Sequence, residues 1–175
     1  MRKVKLYIAS SLNSKIAQED GGVEWLETIP NPEQSDYGYA QFYDSIDTTI
    51  MGYSTYKQVM DWDIPFPYIG KTNYVLSRKQ DPLQSEHVSF IADDPIGFIT
   101  EQKLLVGKDI WLVGGGQVNT LFLNAGLIDE IHLFIMPIIL SGGIDIFEAL
   151  PSQTPLKLRS STAYPNGVVA LIYEL

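Results

Sequence analysis

Short apolar runs recur along this chain, and several stop at a glycine or a hydroxyl residue just before a helix-like stretch. Val4–Ala9 reads as a first strand. Thr48–Met51 reads as a second, ended by Gly52, and Asn73–Ser77 as a third. Val88–Ile91 is a fourth, and Ile110–Val113 a fifth, ended by Gly114, Gly115 and Gly116. Continuous apolar runs of this length suit strands buried on both faces. Helix-like segments separate them. Asp36–Ile46 carries Tyr39, Phe42, Tyr43 and Ile46 at helical spacing, and Ser54–Trp62 follows the second strand. Asp94-Pro95 opens a helix running to about Leu105, with proline suited to the first helical position. Gln117–Leu123 follows the glycines and stops at Asn124-Ala125-Gly126.

Strand–helix–strand alternation predicts an α/β domain with a mainly parallel sheet. The last third differs. Ile128–Ile139 reads as one long strand, and Lys157–Tyr164 and Val168–Leu175 flank the turn signal Pro165-Asn166-Gly167. The expectation is one domain over residues 1–175, its mixed sheet closed by a C-terminal antiparallel hairpin. Ligands are then expected at the carboxyl ends of the parallel strands.

Charge narrows the partners. The net charge is −9, which disfavours nucleic-acid backbones and anionic membranes. The chain has no cysteine, so it offers no disulfide, thiolate metal site or thiol nucleophile, and it fits a reducing cytoplasm. Val4–Ala9 is too short for a signal-peptide core or a membrane span, and no later window is long enough. His87 and His132 are isolated, and no zinc spacing, Walker loop or nucleophile elbow occurs, so no metal is expected.

Within an acidic chain, an anionic cofactor needs aimed backbone N–H groups or local positive charge. Three junctions offer them. At Val113-Gly114-Gly115-Gly116-Gln117-Val118 a strand ends and a helix begins. Glycine lets the backbone approach a ligand, and the helix start presents unpaired N–H groups. By itself this is equally a tight structural turn or a diphosphate site. Met51-Gly52-Tyr53-Ser54-Thr55 repeats the design, with an ordinary N-cap as its plainer reading. Leu76-Ser77-Arg78-Lys79 places two adjacent cations after the third strand, suited to a phosphate or simply to a solvated loop. In a parallel sheet the three lie along one edge and can converge on one extended ligand, such as a dinucleotide. Asp20, Glu24 and Glu27 put carboxylates near the end of the first strand, and the pattern does not choose among them as a proton donor.

These residues, taken in order, resemble the dihydrofolate-reductase-like superfamily. Within it they are similar to small stand-alone proteins like the reductase domain of the bifunctional riboflavin-biosynthesis deaminase–reductase. The likeness rests on Ile8-Ala9-Ser10-Ser11-Leu12 with Lys15-Ile16-Ala17, on Asp20 to Leu26, and on Met51-Gly52 with Thr55-Tyr56. It continues through Leu76-Ser77-Arg78, Gly114-Gly115-Gly116, Gly126 to Ile131, and Pro137 to Gly143. The resemblance implies a three-layer α/β/α fold, NADPH as hydride donor and a homodimer. It implies that Val113, Gly114, Gly115, Gly116, Gln117 and Val118 surround the pyrophosphate and nicotinamide side. It also implies that Gly52, Ser54 and Thr55 touch phosphates, that Leu76, Ser77 and Arg78 hold the adenosine end, and that Ala9 and Ile16 flank the nicotinamide. Two positions depart from the pattern. The family's Asp-Gly in the first loop is Asn13-Ser14 here, and Tyr53 stands where a basic residue is common. No catalytic residue is assigned; Asn13 and Glu24 are the candidates. The implied activity is NADPH-dependent reduction of a small heterocycle, of the riboflavin-pathway aminopyrimidine type. Dihydrofolate reduction is the alternative, as are a cofactor-binding module or a homodimeric scaffold without turnover.

Overall fold

Alternation sets the first strand: Val4, Leu6 and Ile8 are buried on one face, while Lys5, Tyr7 and Ala9 are half-buried on the other. The computed structural model describes residues 1–78 and 86–175. Its elements in chain order begin with β1 (Val4–Ser11), β2 (Lys15–Ala17), a 3-10 turn at Glu24–Thr28, α1 (Tyr39–Ser45), β3 (Ile46–Gly52) and α2 (Tyr53–Met60). Next come β4 (Thr72–Leu76), β5 (Ser89–Ile91), α3 (Pro95–Leu104), β6 (Asp109–Gly114) and α4 (Gly116–Asn124). The chain ends with β7 (Glu130–Met136), β8 (Ile144–Asp145), β9 (Lys157–Ala163) and β10 (Val169–Glu174).

The main sheet has eight strands in the order β5-β4-β3-β6-β1-β7-β10-β9. β5 through β7 run parallel, and β10 and β9 join antiparallel. The expected mixed sheet with its C-terminal hairpin is therefore present, as a three-layer α/β/α fold. One face carries α3 and α4, packing Ile99, Phe122 and Leu123 onto Leu6, Ile50 and Leu112. The other carries α1 and α2, packing Phe42, Tyr56 and Val59 onto Met51, Val75 and Trp111. A separate cluster of Trp25, Phe134, Met136, Leu140, Val168 and Ala170 lies under the 3-10 turn. Burying each such side chain is worth about 1.5–3 kcal/mol, and the interleaved aliphatic faces set the layer order.

Several boundaries move, each for a local reason. The first helix starts at Tyr39 rather than Asp36, because the Asp36 carboxylate accepts hydrogen bonds from the N–H groups of Gly38 and Ala40. Tyr37 and Gly38 have φ of 52° and 84°, outside helical space. The long strand expected over Ile128–Ile139 is held to Glu130–Met136, because Pro137 has no N–H to continue the ladder. Pro95 does open α3, where Asp94 accepts from the N–H of Gly97 at 3.0 Å. The two-stranded sheet of β2 and β8 was not anticipated: strands of three and two residues carry too little periodicity to read. Among the described residues no helix is long and apolar enough to cross a membrane.

Candidate functional site

Register brings the three junctions together. Gly52 at the end of β3 pairs with Leu76 at the end of β4, and Met51 pairs with Gly114 at the end of β6. Each junction thus opens on the same carboxyl edge of the sheet. Ala9 lies on β1, the next strand across from β6. Ile16, on β2, is half-buried against the cluster beneath α4.

The glycines there are required for different reasons. Gly114 has φ of 120°, a conformation that side chains rarely adopt, and the Gly114–Gly115 peptide is cis. At Gly116 a Cβ would lie 2.3 Å from the backbone oxygen of Asp145, so a methyl has no room. At Gly52 a Cβ would meet Val118 Cγ2 at 3.0 Å, and at Gly115 it would meet Thr55 Oγ1 at 3.4 Å. The starts of α2 and α4 are therefore in van der Waals contact across two glycines. Neither helix has a side-chain cap on its first turn. Their first N–H groups, with the positive ends of both helix dipoles, form one donor-rich surface. Ser54 is exposed, while Thr55 and Val118 are half-buried beside it; Gln117 is exposed.

The third junction extends this surface. Leu76 is half-buried, Ser77 is buried with its N–H donating to Ile91 O at 3.0 Å, and Arg78 is exposed. Lys79 lies outside the described residues. The sequence-derived cofactor set thus gathers along one sheet edge. The two helix starts without side-chain caps, brought together beside Gly52 and Gly115, are of the chemistry that suits a dinucleotide's diphosphate.

The catalytic candidates sit differently. The Asn13 side chain donates to Leu140 O at 2.8 Å and accepts from Leu140 N–H at 3.1 Å and from Ser11 Oγ at 2.8 Å. Its amide clips the first loop to the segment after β7. Glu24 is exposed, with its carboxylate folded over Gly22, and Asp20 and Glu27 are exposed as well.

What sequence reasoning missed is an aromatic seam beside Ala9. Tyr7 packs against both the α1/α2 cluster and the Trp25 cluster. Its ring stacks on Phe42 at 4.1 Å and approaches Phe134 at 4.6 Å. Trp111 Nε1 donates to Tyr7 O at 3.2 Å. Burial pushes the Tyr7 hydroxyl well above its ordinary pKa, with Asp36, Tyr164 and Tyr39 adding to the shift. Burial likewise pushes Tyr39 up to about 12. Both hydroxyls are neutral donors at physiological pH. Trp25 is buried, and its Nε1 has no acceptor among the described residues. The polar–aromatic alternation of Lys5-Leu6-Tyr7-Ile8-Ala9 carried the signal for Tyr7, since a half-buried tyrosine on a strand face needs a neighbour for its hydroxyl.

Positive charge is concentrated elsewhere. Lys3 pairs with Glu130 at 2.6 Å, Lys5 with Asp109 at 2.8 Å and Lys103 with Asp129 at 2.7 Å, and Arg2 pairs with Asp47. All lie at the opposite end of the parallel strands. Burial pushes the Glu130 carboxyl up, but hydrogen bonds from Lys3 and His132 hold it below its ordinary value. Among the described residues no cluster of side chains is arranged to hold a metal.

Known proteins are similar to this chain in sequence and fold. Residues 100–170 match the RibD C-terminal domain. The Bacillus subtilis (strain 168) protein YwjB is 38% identical over 167 residues, covering 95% of each chain. YyaP of the same organism is 30% identical over 190 residues, covering 99% of this chain and 95% of its own. Among solved structures, a Shewanella sp. PV-4 protein named for riboflavin biosynthesis superposes with a TM-score of 0.87 at 27% identity, covering 99% of this chain and 98% of its own. Dihydrofolate reductase from Enterococcus faecalis shares the fold, with a TM-score of 0.71 at 14% identity over 98% of this chain and 95% of its own. The chain therefore belongs to one family with YwjB and YyaP, has the dihydrofolate-reductase-like fold, and over residues 100–170 matches the RibD C-terminal domain.

Proposed function

We propose that this protein is an NADPH-dependent reductase that transfers hydride to a small heterocyclic acceptor, of the riboflavin-pathway aminopyrimidine type. The observation that carries the reading is the contact between two uncapped helix starts across Gly52–Val118 and Gly115–Thr55 at the carboxyl edge of a parallel sheet. Such a surface suits a diphosphate. Arg78, exposed one strand further out, suits the 2′-phosphate that distinguishes NADPH. The solved Thermotoga maritima deaminase/5-amino-6-(5-phosphoribosylamino)uracil reductase shares the fold, with a TM-score of 0.70 at 15% identity, covering 99% of this chain and 56% of its own.

The bound dinucleotide would supply the hydride. The chain's own residues would bind, orient and exclude water. Ala9 would flank the nicotinamide, and Tyr7, half-buried on the same face of β1 and held in place by Phe42 and Phe134, would lie against a planar acceptor. Tyr7 Oη, neutral as a phenol is at physiological pH, would serve as a hydrogen-bond donor to the acceptor, and burial disfavours its ionisation further. A homodimer is proposed on the family resemblance. β9, exposed along all seven residues at the sheet edge, supports it by leaving backbone groups open to a second copy.

Titration of the purified protein with NADPH, read by nicotinamide fluorescence, tests the central reading. Saturable binding is expected; none at about 1 mM, an affinity of only ~4 kcal/mol, overturns it.

A further inference from the structure

Among the described residues, two buried side-chain atoms make no hydrogen bond: Trp25 Nε1 and Asn119 Oδ1. Asn119 sits in the first turn of α4 and is 0% exposed. The two ends of its amide face different parts of the molecule. Nδ2 donates to Ile146 O at 2.8 Å, and that carbonyl fixes which end is the donor. Oδ1 turns toward the glycines: it is the first atom that a Cβ on Gly114 would meet, at 3.6 Å. The Asn119 backbone N–H also donates to Gly115 O at 3.0 Å. An amide with an unpaired oxygen is a costly filling for a buried position that an apolar side chain of similar size could occupy.

Ile146 belongs to a strap, residues 145–148, that packs along the start of α4. Asp145 O fills the place of a Gly116 Cβ, at 2.3 Å. Glu148 N–H donates to Gly116 O at 3.3 Å, and Thr120 Oγ1 reaches Gly116 O at 3.0 Å and Glu148 O at 2.6 Å. The same strap holds the first loop. Ile146 N–H donates to Ser14 O at 3.1 Å, Lys15 pairs with Asp145 at 2.6 Å, and β2 pairs with β8. The Asn119 amide therefore touches the glycine turn at one end. At the other it holds, through Ile146, the segment that carries Ile16.

Resting on the reductase reading, we propose that Asn119 is a positioning residue that couples the two halves of the cofactor site. One half is the Gly114–Gly116 turn, which takes the diphosphate. The other is the loop with Ile16, which flanks the nicotinamide. Asn119 touches no cofactor atom itself. Its amide sets the distance between turn and strap, so a ligand that orders one half orders the other, and a ligand spanning both gains from that coupling.

NADPH and 2′-phospho-ADP-ribose, the same molecule without its nicotinamide, are the probes, titrated calorimetrically against the full chain. Asn119→Leu should weaken NADPH about tenfold, a usual size for coupling between sites, and leave the fragment within about threefold of wild type. An amide that only holds the fold together would weaken both ligands alike, and that result, or unchanged NADPH affinity, overturns the proposal. Hydrogen exchange on the wild-type protein gives a second test that needs no variant. The fragment alone should slow exchange of the Ile146 amide, which it does not reach, by about fivefold or more. Unchanged exchange there, or a fragment that fails to bind where NADPH binds, also overturns it. Failure of wild-type NADPH binding removes the reductase reading, whereas NADPH binding with equal weakening of both ligands removes only the role of Asn119.

Discussion

A Cβ on Gly52 would sit 3.0 Å from Cγ2 of Val118, so the helix start after β3 and the helix start after β6 are packed directly on one another. On the proposed reading, that contact would let the two N-termini serve one anion. It also ranks the glycines by what a methyl would do.

Gly116→Ala should be the most damaging of the conservative changes at this edge. Its methyl would be driven into the backbone oxygen of Asp145, an atom that cannot swing aside. A loss of about 1–3 kcal/mol is expected by thermal or denaturant unfolding. Gly52→Ala meets only a valine methyl that can yield by a few tenths of an ångström, so its melting temperature should stay near wild type. Equal destabilisation by the two changes would contradict this ranking.

Arg78→Ala should separate the two nicotinamide cofactors. Arg78 is exposed at the end of β4, so its removal should leave folding intact. The loss of a charge-assisted contact with the 2′-phosphate, about 1.5–3 kcal/mol, should weaken NADPH by roughly tenfold or more. NADH should be nearly unaffected. Parallel weakening of both cofactors in the same titration would remove Arg78 as the reader of that phosphate.

Trp25→Phe should be neutral or stabilising in the free protein. The indole Nε1 is buried without an acceptor, and removing an unsatisfied donor relieves about 1–3 kcal/mol of desolvation cost, set against the smaller ring. If the acceptor receives that N–H, its KM should rise in the variant while NADPH affinity holds. Chemical denaturation and steady-state kinetics read the two effects independently.

Asn13→Ala should act through the backbone of Leu140. Three hydrogen bonds leave with the amide, and the freed Leu140 groups lie near a half-buried loop, so a loss of about 1–2 kcal/mol is expected in unfolding experiments. The pH profile of any turnover should keep its shape, because an amide does not titrate in the working range.

Acid should destabilise the fold through His132. Burial lowers its pKa from the ordinary 6.5, against the opposing pull of Glu130. The unfolded chain therefore takes up this proton first, and stability falls as pH drops below about 6.5 and on through the lower folded value. Glu130, held below its ordinary pKa, adds a loss of the same sign at lower pH. Replacing His132 with Gln should flatten the upper part of this dependence, measured as melting temperature between about pH 5 and pH 7.

Much of the sheet was legible because burial on both faces forces continuous apolar sequence. Val4–Ala9 and Ile110–Val113 both lie within observed strands. The hairpin was legible for a different reason: Pro165-Asn166-Gly167 demands a turn whatever surrounds it, and Gly167 does take φ of 88°. The ends were harder, since they depend on side chains reaching the backbone locally. Asp36 delays α1 by binding Gly38 and Ala40, an outcome that competes with helix on nearly equal terms.

The sequence by itself determined the strands, the glycine-ended junctions and their family, because periodicity and glycine placement act over a few neighbouring residues. The tertiary structure decided what those junctions do together. Gly52 and Val118, and Thr55 and Gly115, become neighbours only when β3 and β6 pair in register. The aromatic seam likewise joins Tyr7, Phe42, Trp111 and Phe134 from four separate elements. No local pattern records such meetings, because they are fixed by strand order and by the packing of helices across the sheet.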